Sequence, residues 1–136
     1  MEPHYGITRE FPDLDYDQAV AATVEALKEV GFGVLTEIDV KATLKKKLDV
    51  DFERYVILGA CNPPLAHRAL TAEPWIGLLL PCNVVVRERP GGGSLVSAAK
   101  PTAMFEIVKR EGMEELAAEV EGLLEKALDA IAAHAA

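Results

Sequence analysis

The chain has 136 residues, half of them apolar, and a formal net charge of −8 at neutral pH. This length and apolar content are sufficient for a hydrophobic core without a metal or disulfide, so we expect a single domain over residues 1–136. The negative charge repels phosphate backbones and argues against general nucleic-acid binding.

The sequence also bears on membrane contact and cellular location. The apolar stretch at residues 75–86 is interrupted by Pro81 and is far shorter than the roughly 20 residues of a transmembrane helix. The N-terminus has neither a basic lead nor an apolar segment with a cleavage site. Two cysteines fit a reducing compartment, because a small secreted scaffold usually carries about four or more. We therefore expect a soluble, cytoplasmic protein with no membrane partner.

The apolar periodicity predicts that the chain begins with a strand and a helix. Apolar residues alternate weakly over residues 4–11, as in a half-buried strand. Asp15 and Gln18 then form a capping box in front of an apolar stripe of helical spacing. This helix is predicted to end at Gly31, because glycine readily takes the left-handed conformation that closes a helix.

Two strands, each followed by a short helix, are predicted next. Residues 32–38 are rich in strand formers, and Asp39 is placed to cap a short helix that carries lysines on its outer face. Residues 52–61 return to strand character. Asn62 and Pro63 then predict a helix start, because asparagine caps free amides and proline has no amide hydrogen to lose at the first helical position.

The rest of the chain is predicted to hold a bent strand, a hairpin and a long helix. Residues 75–88 are expected to form one strand bent at Pro81, because proline cannot donate to a central ladder. The glycine-rich loop 90–94 leads into a strand at residues 95–99. A broad apolar stripe over residues 113–131 predicts a helix that covers the sheet. This order indicates an α+β fold with a mixed or antiparallel sheet and helices packed on it.

A repeated cysteine–asparagine pair is the most distinctive feature of the sequence. The first pair closes one predicted strand and the second interrupts another, and each has a neighbouring proline. A helical connection favours parallel pairing of these strands, which would bring Cys61 close to Cys82. A tight antiparallel return would instead separate the two thiols. The sequence leaves both arrangements open.

The two thiols allow three interpretations. Cys61 lies just before a predicted helix N-terminus, whose partial positive charge favours a reactive thiolate. Alternatively, Cys61 and Cys82 are inert core residues, since free cysteine is among the most buried residue types. A third interpretation is a shared site for a small molecule. Asp39 likewise has two interpretations, as a functional carboxylate or as a plain helix cap.

Metal and catalytic templates find little support in the sequence. Cys61, His67 and Cys82 match no standard zinc spacing and lack a fourth ligand, so no metal site is predicted. The glycines at 91–93 precede a strand, whereas a phosphate-cradling loop precedes a helix. Catalytic residues and cofactor therefore stay unassigned, and whether the protein is an enzyme is left open.

Three blocks, at residues 31–40, 58–66 and 79–84, resemble a family of bacterial and archaeal proteins grouped as domain of unknown function 302. The resemblance implies a β-α-β4-α order similar to the TATA-binding-protein class, often seen as a dimer. It does not imply DNA binding, because one architecture hosts unrelated functions. The resemblance marks a site without assigning its chemistry, at Asp39, Cys61, Asn62, Pro63, Pro81, Cys82 and Asn83.

These observations lead to one main prediction about function. We predict a homodimeric small-ligand-binding module whose site lies where the segments around Cys61 and Cys82 meet. The alternatives are a cysteine-dependent redox or sulfur-handling protein, and a structural or interaction domain with inert cysteines.

Overall fold

A five-stranded sheet with two long helices against one face organises the computed structural model, which describes residues 2–135. The strands are β1 (Gly6–Phe11), β2 (Gly33–Asp39), β3 (Tyr55–Cys61), β4 (Cys82–Glu88) and β5 (Ser94–Ala99). The helices are α1 (Tyr16–Glu29), α2 (Val40–Leu48), α3 (Pro63–Ala72), α4 (Pro101–Met104) and α5 (Met113–Ala135). A first 3-10 helix spans Pro74–Leu79 and a second spans Phe105–Ile107. The α+β class and the core β-α-β4-α order are as the sequence predicted.

The strand order is β1-β5-β4-β3-β2, and every neighbouring pair is antiparallel. The sequence-based preference for a parallel pairing of β3 with β4 is therefore wrong. The connection through α3 and the first 3-10 helix returns the chain to the sheet edge where β3 ended, so it acts as a long hairpin loop. As a result the end of β3 and the start of β4 lie side by side.

Side-chain caps fix where three of the helices begin. Asp15 accepts a hydrogen bond from the Gln18 amide at 2.8 Å, and the Gln18 side chain accepts one from the Asp15 amide at 3.0 Å. Asp39 caps α2 by accepting from the Ala42 amide at 2.9 Å. Asn62 caps α3, with Pro63 at its first position. The predicted capping residues are confirmed at all three starts.

The core lies between the sheet and the pair α1 and α5. Alternate residues of the central strands point toward these helices and are almost fully buried, as period-two geometry requires. Each buried valine or leucine contributes about 1.5–3 kcal/mol through loss of water contact. The buried valines and leucine of the three central strands are Val56, Leu58, Val84, Val86 and Val96.

The opposite face of the sheet forms an open, shallow groove of about 510 Å³. Val85 at its centre is half-buried, and Ile38 on the edge strand β2 is 48% exposed. Thr8 and Ser97 share a hydrogen bond of 2.8 Å on this face. This outer sheet face is therefore mixed, with the polar side chains of Asn83 and Arg87 on either side of Val85 along the central strand β4.

The predicted strand at residues 75–88 is wrong in its first half. Residues Pro74–Leu79 form the first 3-10 helix, and β4 begins only at Cys82. Glu73 caps this 3-10 helix by accepting from the Trp75 amide at 3.2 Å, and buried Ile76 anchors it to the core. The apolar residues of this segment thus form a 3-10 helix and not a strand, because Ile76 is buried while its neighbours are exposed.

The structure also contains a short helix that the sequence pattern did not indicate. The helix α4 begins with Pro101 at its first position, and the second 3-10 helix follows it directly. Within residues 2–135, none of the helices combines the length and apolar character needed to cross a membrane.

Candidate functional site

The two thiols are neighbours on adjacent strands. Ala60 is the pairing partner of Cys82, so Cys61 follows the residue that lies directly opposite Cys82. Adjacent strands are about 4.8 Å apart. Both cysteines are free and partly buried. The ends of β3 and β4 therefore place both cysteines at the same end of the sheet.

Both thiols line a small cavity between this sheet edge and the helices. The cavity has a volume of about 40 Å³. Its only polar side chains are those of Cys61, Cys82 and Asn62. Apolar walls come from α3, α5, the loop after α1 and the second 3-10 helix, through Leu65, Ala69, Leu116, Val120, Phe32 and Phe105.

Asn62 has a structural task at the rim of this cavity. Its side-chain oxygen accepts from the Leu65 amide at 3.3 Å, and its Nδ2 donates to the carbonyl oxygen of Val30 at 3.4 Å. The first bond caps α3, and the second ties that cap to the end of α1. The amide of Asn62 is thus engaged on both sides in holding the wall of the cavity.

Burial changes the acidity of one thiol. It raises the pKa of Cys82 to about 11, and the nearby Cys61 adds to the rise because two negative charges would repel each other. Cys82 is therefore protonated at neutral pH. Since the thiolate is the nucleophile, this environment disfavours attack by the Cys82 sulfur.

Pro81 joins the thiol segments by packing on the neighbouring strand. It lines the cavity, and a Cβ atom at Gly59 would lie 2.8 Å from Pro81 Cγ and would also overlap the hydroxyl of Thr36. The peptide bond between Leu80 and Pro81 is cis. Gly59 is thus the residue that lets Pro81 lie close against β3.

The seven residues marked by the sequence do not form one cluster. Cys61, Asn62, Pro81 and Cys82 line the cavity. The other three lie elsewhere: Pro63 is exposed at the first position of α3, Asp39 caps α2, and Asn83 is exposed on the outer sheet face.

Sequence reasoning did not identify the apolar walls of the cavity. Phe105 lies in a segment with no clear periodic pattern, and Leu116 and Val120 belong to an apolar helix stripe that only predicts burial. The register of α5 against α3 brings these side chains to the cavity that the cysteines also line. A sequence pattern carries no direct signal for that register.

Few side chains near the thiols can act as metal ligands. His67 is exposed on α3 and does not line the cavity. Throughout residues 2–135 the structure has no group of three or more His, Cys, Asp or Glu side chains placed to hold a metal ion. The two thiols are thus the only soft ligands that the cavity offers.

Comparison with known proteins identifies the family. The family model described as domain of unknown function DUF302 matches residues 7–131. The chain belongs to the DUF302 family. A crystal structure of an uncharacterized conserved DUF302 protein from Bacillus stearothermophilus has a TM-score of 0.85 and 31% sequence identity, covering 93% of this chain and 98% of that one. No protein of curated function matches the chain. The family resemblance and the α+β fold are confirmed.

Proposed function

We propose that this DUF302 chain is a binding module for a very small ligand, which occupies the cavity beside Cys61 and Cys82. One observation carries the proposal: the β3–β4 register brings two free thiols to a single apolar cavity. Protein interiors are close-packed, so core packing alone does not account for a void that two cysteines line.

The size of the cavity limits the ligand. Its volume of about 40 Å³ exceeds the roughly 10–15 Å³ that one water needs. It is far below the roughly 300–1,000 Å³ of a pocket for a drug-sized molecule. A nucleotide or an organic cofactor does not fit inside. The ligand is either a group of very few atoms or the narrow end of a larger molecule.

The competing proposal, a cysteine-dependent redox or sulfur-handling reaction, has weaker support. Cys61 lies directly before the N-terminus of α3, which favours a thiolate there. A dithiol reaction also needs the second sulfur as a nucleophile, and burial keeps Cys82 protonated at neutral pH. Ligand binding requires no ionised Cys82, so it is the function that this environment supports best.

The proposal includes a homodimer formed through the outer sheet face. Five strands about 4.8 Å apart and about six residues long present roughly 500 Å² on that face. A symmetric pair would therefore bury about 1,000 Å², which is near the lower limit for a specific interface. The hydroxyls of Thr8 and Ser97 are hydrogen-bonded to each other at 2.8 Å, so covering them leaves neither unpaired. The Glu53–Arg87 ion pair, at 2.7 Å, belongs at the solvent-exposed rim of the interface, because burying it would remove two charges from water.

The proposal also includes a cytoplasmic location. Two free thiols side by side on neighbouring strands persist in the reduced state where glutathione and thioredoxin keep thiols reduced.

Xenon binding followed by amide NMR tests the ligand proposal, because xenon is an apolar single-atom probe for small cavities. We expect shifts at Cys61, Cys82 and Leu65 in the xenon-saturated protein. Filling the cavity with Ala69→Leu removes these shifts, and Ala66→Leu serves if that variant does not fold. Asn83→Ala, on the opposite face, is the matched control and retains them. A folded protein whose cavity amides do not respond to xenon contradicts the proposal.

A further inference from the structure

The walls of the cavity differ in how firmly they are held. The helix α5 lines the cavity with Leu116 and Val120, and further along it is fixed in the core by the buried side chains of Leu124, Ala127, Leu128 and Ile131. The facing wall belongs to the segment 63–79, formed by α3 and the first 3-10 helix. Within residues 63–79 only the side chains of Leu65, Ala69 and Ile76 are buried. Segments with few buried apolar contacts are those that open at low cost.

The cavity itself weakens the packing of this segment. Leu65 and Ala69 both line the volume of about 40 Å³. Atoms that face a void lack contact partners on that side, so these two side chains contribute less than they would in a close-packed core. The segment leaves the sheet after Asn62 and returns to it through Leu80. Residues 63–79 thus form a flap over the cavity, attached at the ends of two neighbouring strands.

Two ion pairs cross from the flap to the α5 wall. Arg68 on α3 donates from Nη1 to both carboxylate oxygens of Glu119 on α5, at 3.2 and 3.0 Å. Arg110, just before α5, donates from Nε to Oε2 of Glu73 at 2.8 Å. The other oxygen of Glu73 accepts from the Trp75 amide at 3.2 Å, so one carboxylate joins the 3-10 helix of the flap to the α5 wall. The Glu73 side chain is only 17% exposed, which limits screening of its charge by solvent.

We infer that the flap opens to admit ligand to the cavity, and that the ion pairs Arg68–Glu119 and Glu73–Arg110 latch it closed. This inference rests on the proposed function, because it states how access to the same cavity is regulated. A ligand whose inserted end is too large for the closed cavity binds only the open state, so its apparent affinity is reduced by the small fraction of open chains. Salt screens partly exposed charges, so ionic strength regulates access.

Methyl relaxation dispersion NMR on the ligand-free chain tests the flap, because it detects minor states that exchange in microseconds to milliseconds. The methyl groups of Leu65 and Val120, on the two walls, are the reporters. Arg68→Gln and Arg110→Gln are each expected to raise the open population about two- to fivefold, the range for one partly exposed ion pair. The double variant is expected to raise it by roughly tenfold, since the two pairs share no side chain.

Charge reversal and salt distinguish a latch from ordinary packing. Arg68→Glu/Glu119→Arg is expected to return the open population to near that of the unmodified chain. Raising sodium chloride from about 0.01 M to about 1 M shortens the screening length from about 30 Å to about 3 Å, so it opens the unmodified chain and has little effect on Arg68→Gln/Arg110→Gln. Arg9→Gln is the matched control, because Arg9 pairs with Asp129 of α5 at 2.9 Å and neither residue lines the cavity.

Two results would overturn the inference. One is a flat dispersion profile at Leu65 and Val120 in every variant, and the other is an open population that loss of both arginines leaves unchanged. Xenon shifts at the cavity amides test the proposed function separately. If xenon binds and the flap does not respond, only the latch is lost. If the flap responds and xenon does not bind, the latched flap is upheld and the binding function is lost.

Discussion

Asn62 donates to the carbonyl oxygen of Val30 at 3.4 Å across a distance of 32 residues in the chain, from the cap of α3 to the end of α1. The same side chain accepts from the Leu65 amide at 3.3 Å. One side chain therefore joins two helix ends at the rim of the thiol cavity. Its role in the structure is to hold the wall on which Leu65 and Ala69 are presented.

Replacing Asn62 with alanine is expected to lower the free energy of unfolding by about 1–2 kcal/mol. The helix loses its cap, and the bond to Val30 is lost with it. Urea unfolding followed by circular dichroism measures the change. Lys46→Ala on α2 is the control, because an exposed substitution without such partners stays within about 0.5 kcal/mol. Equal stability of Asn62→Ala and the unmodified chain would show that the two hydrogen bonds of Asn62 do not contribute to the free energy of unfolding.

Gly31→Ala is expected to destabilise the fold more than Gly112→Ala. Both glycines have positive φ, +87° and +82°, so a side chain at either costs about 1–2 kcal/mol in backbone strain. A Cβ at Gly31 would also come within 2.9 Å of Asn62 Nδ2, whereas a Cβ at Gly112 meets open space. The difference between the two variants in urea unfolding therefore measures the cost of crowding Asn62. If the two glycine variants lose equal stability, the contact of a Cβ at Gly31 with Asn62 adds no cost to the free energy of folding.

The sequence predicted the helix starts well because their signals are local. Asp15 with Gln18, and Asn62 with Pro63, each satisfy free amides within one turn, so a short stretch of sequence contains the whole interaction. The structure of residues 75–88 was harder to predict from the sequence. Its first half contains Ile76, which is buried through tertiary packing, and the composition of that half resembles a strand.

The candidate site was predictable only in part, for a similar reason. The cysteine–asparagine repeat identified Cys61 and Cys82 as a pair of interest. Their proximity depends on how α3 and the first 3-10 helix return the chain, and the favoured parallel pairing was wrong. Asn83 follows Cys82 in sequence but faces the other side of the sheet, because adjacent strand residues point in opposite directions.

The raised pKa of Cys82 predicts a loss of stability at alkaline pH. The folded-state value is about 11 and the ordinary value is 9.0, so the unfolded chain releases its proton first as pH rises. The stabilising effect is fully present below pH 9.0 and disappears as pH rises to about 11. It amounts to roughly 2–3 kcal/mol at most, because each pKa unit corresponds to about 1.4 kcal/mol.

Comparing Cys82→Ser with the unmodified chain isolates this effect. Over pH 8–11, the free energy of unfolding from urea is expected to fall more steeply for the unmodified chain. In Cys61→Ser the decline is expected to end at a lower pH and to be smaller in total, because the absence of the neighbouring Cys61 charge lowers the folded-state pKa of Cys82. Parallel pH profiles for the unmodified chain and Cys82→Ser would contradict the burial of this thiol.

The outer sheet face predicts how a single charge changes the oligomeric state. Val85 is half-buried at the centre of this face, so in the proposed dimer Val85→Glu places a carboxylate in each half of the interface. Burying an unpaired charge is strongly unfavourable, and the two carboxylates would also repel each other across the two-fold axis. We expect a dimer for the unmodified chain and a folded monomer for Val85→Glu by sedimentation equilibrium. Trp75→Glu is the control, because Trp75 is 76% exposed on the first 3-10 helix, outside the outer sheet face. Dissociation by Trp75→Glu with Val85→Glu still dimeric would assign the interface to the 3-10 helix, and a monomeric unmodified chain would remove the dimer from the proposal.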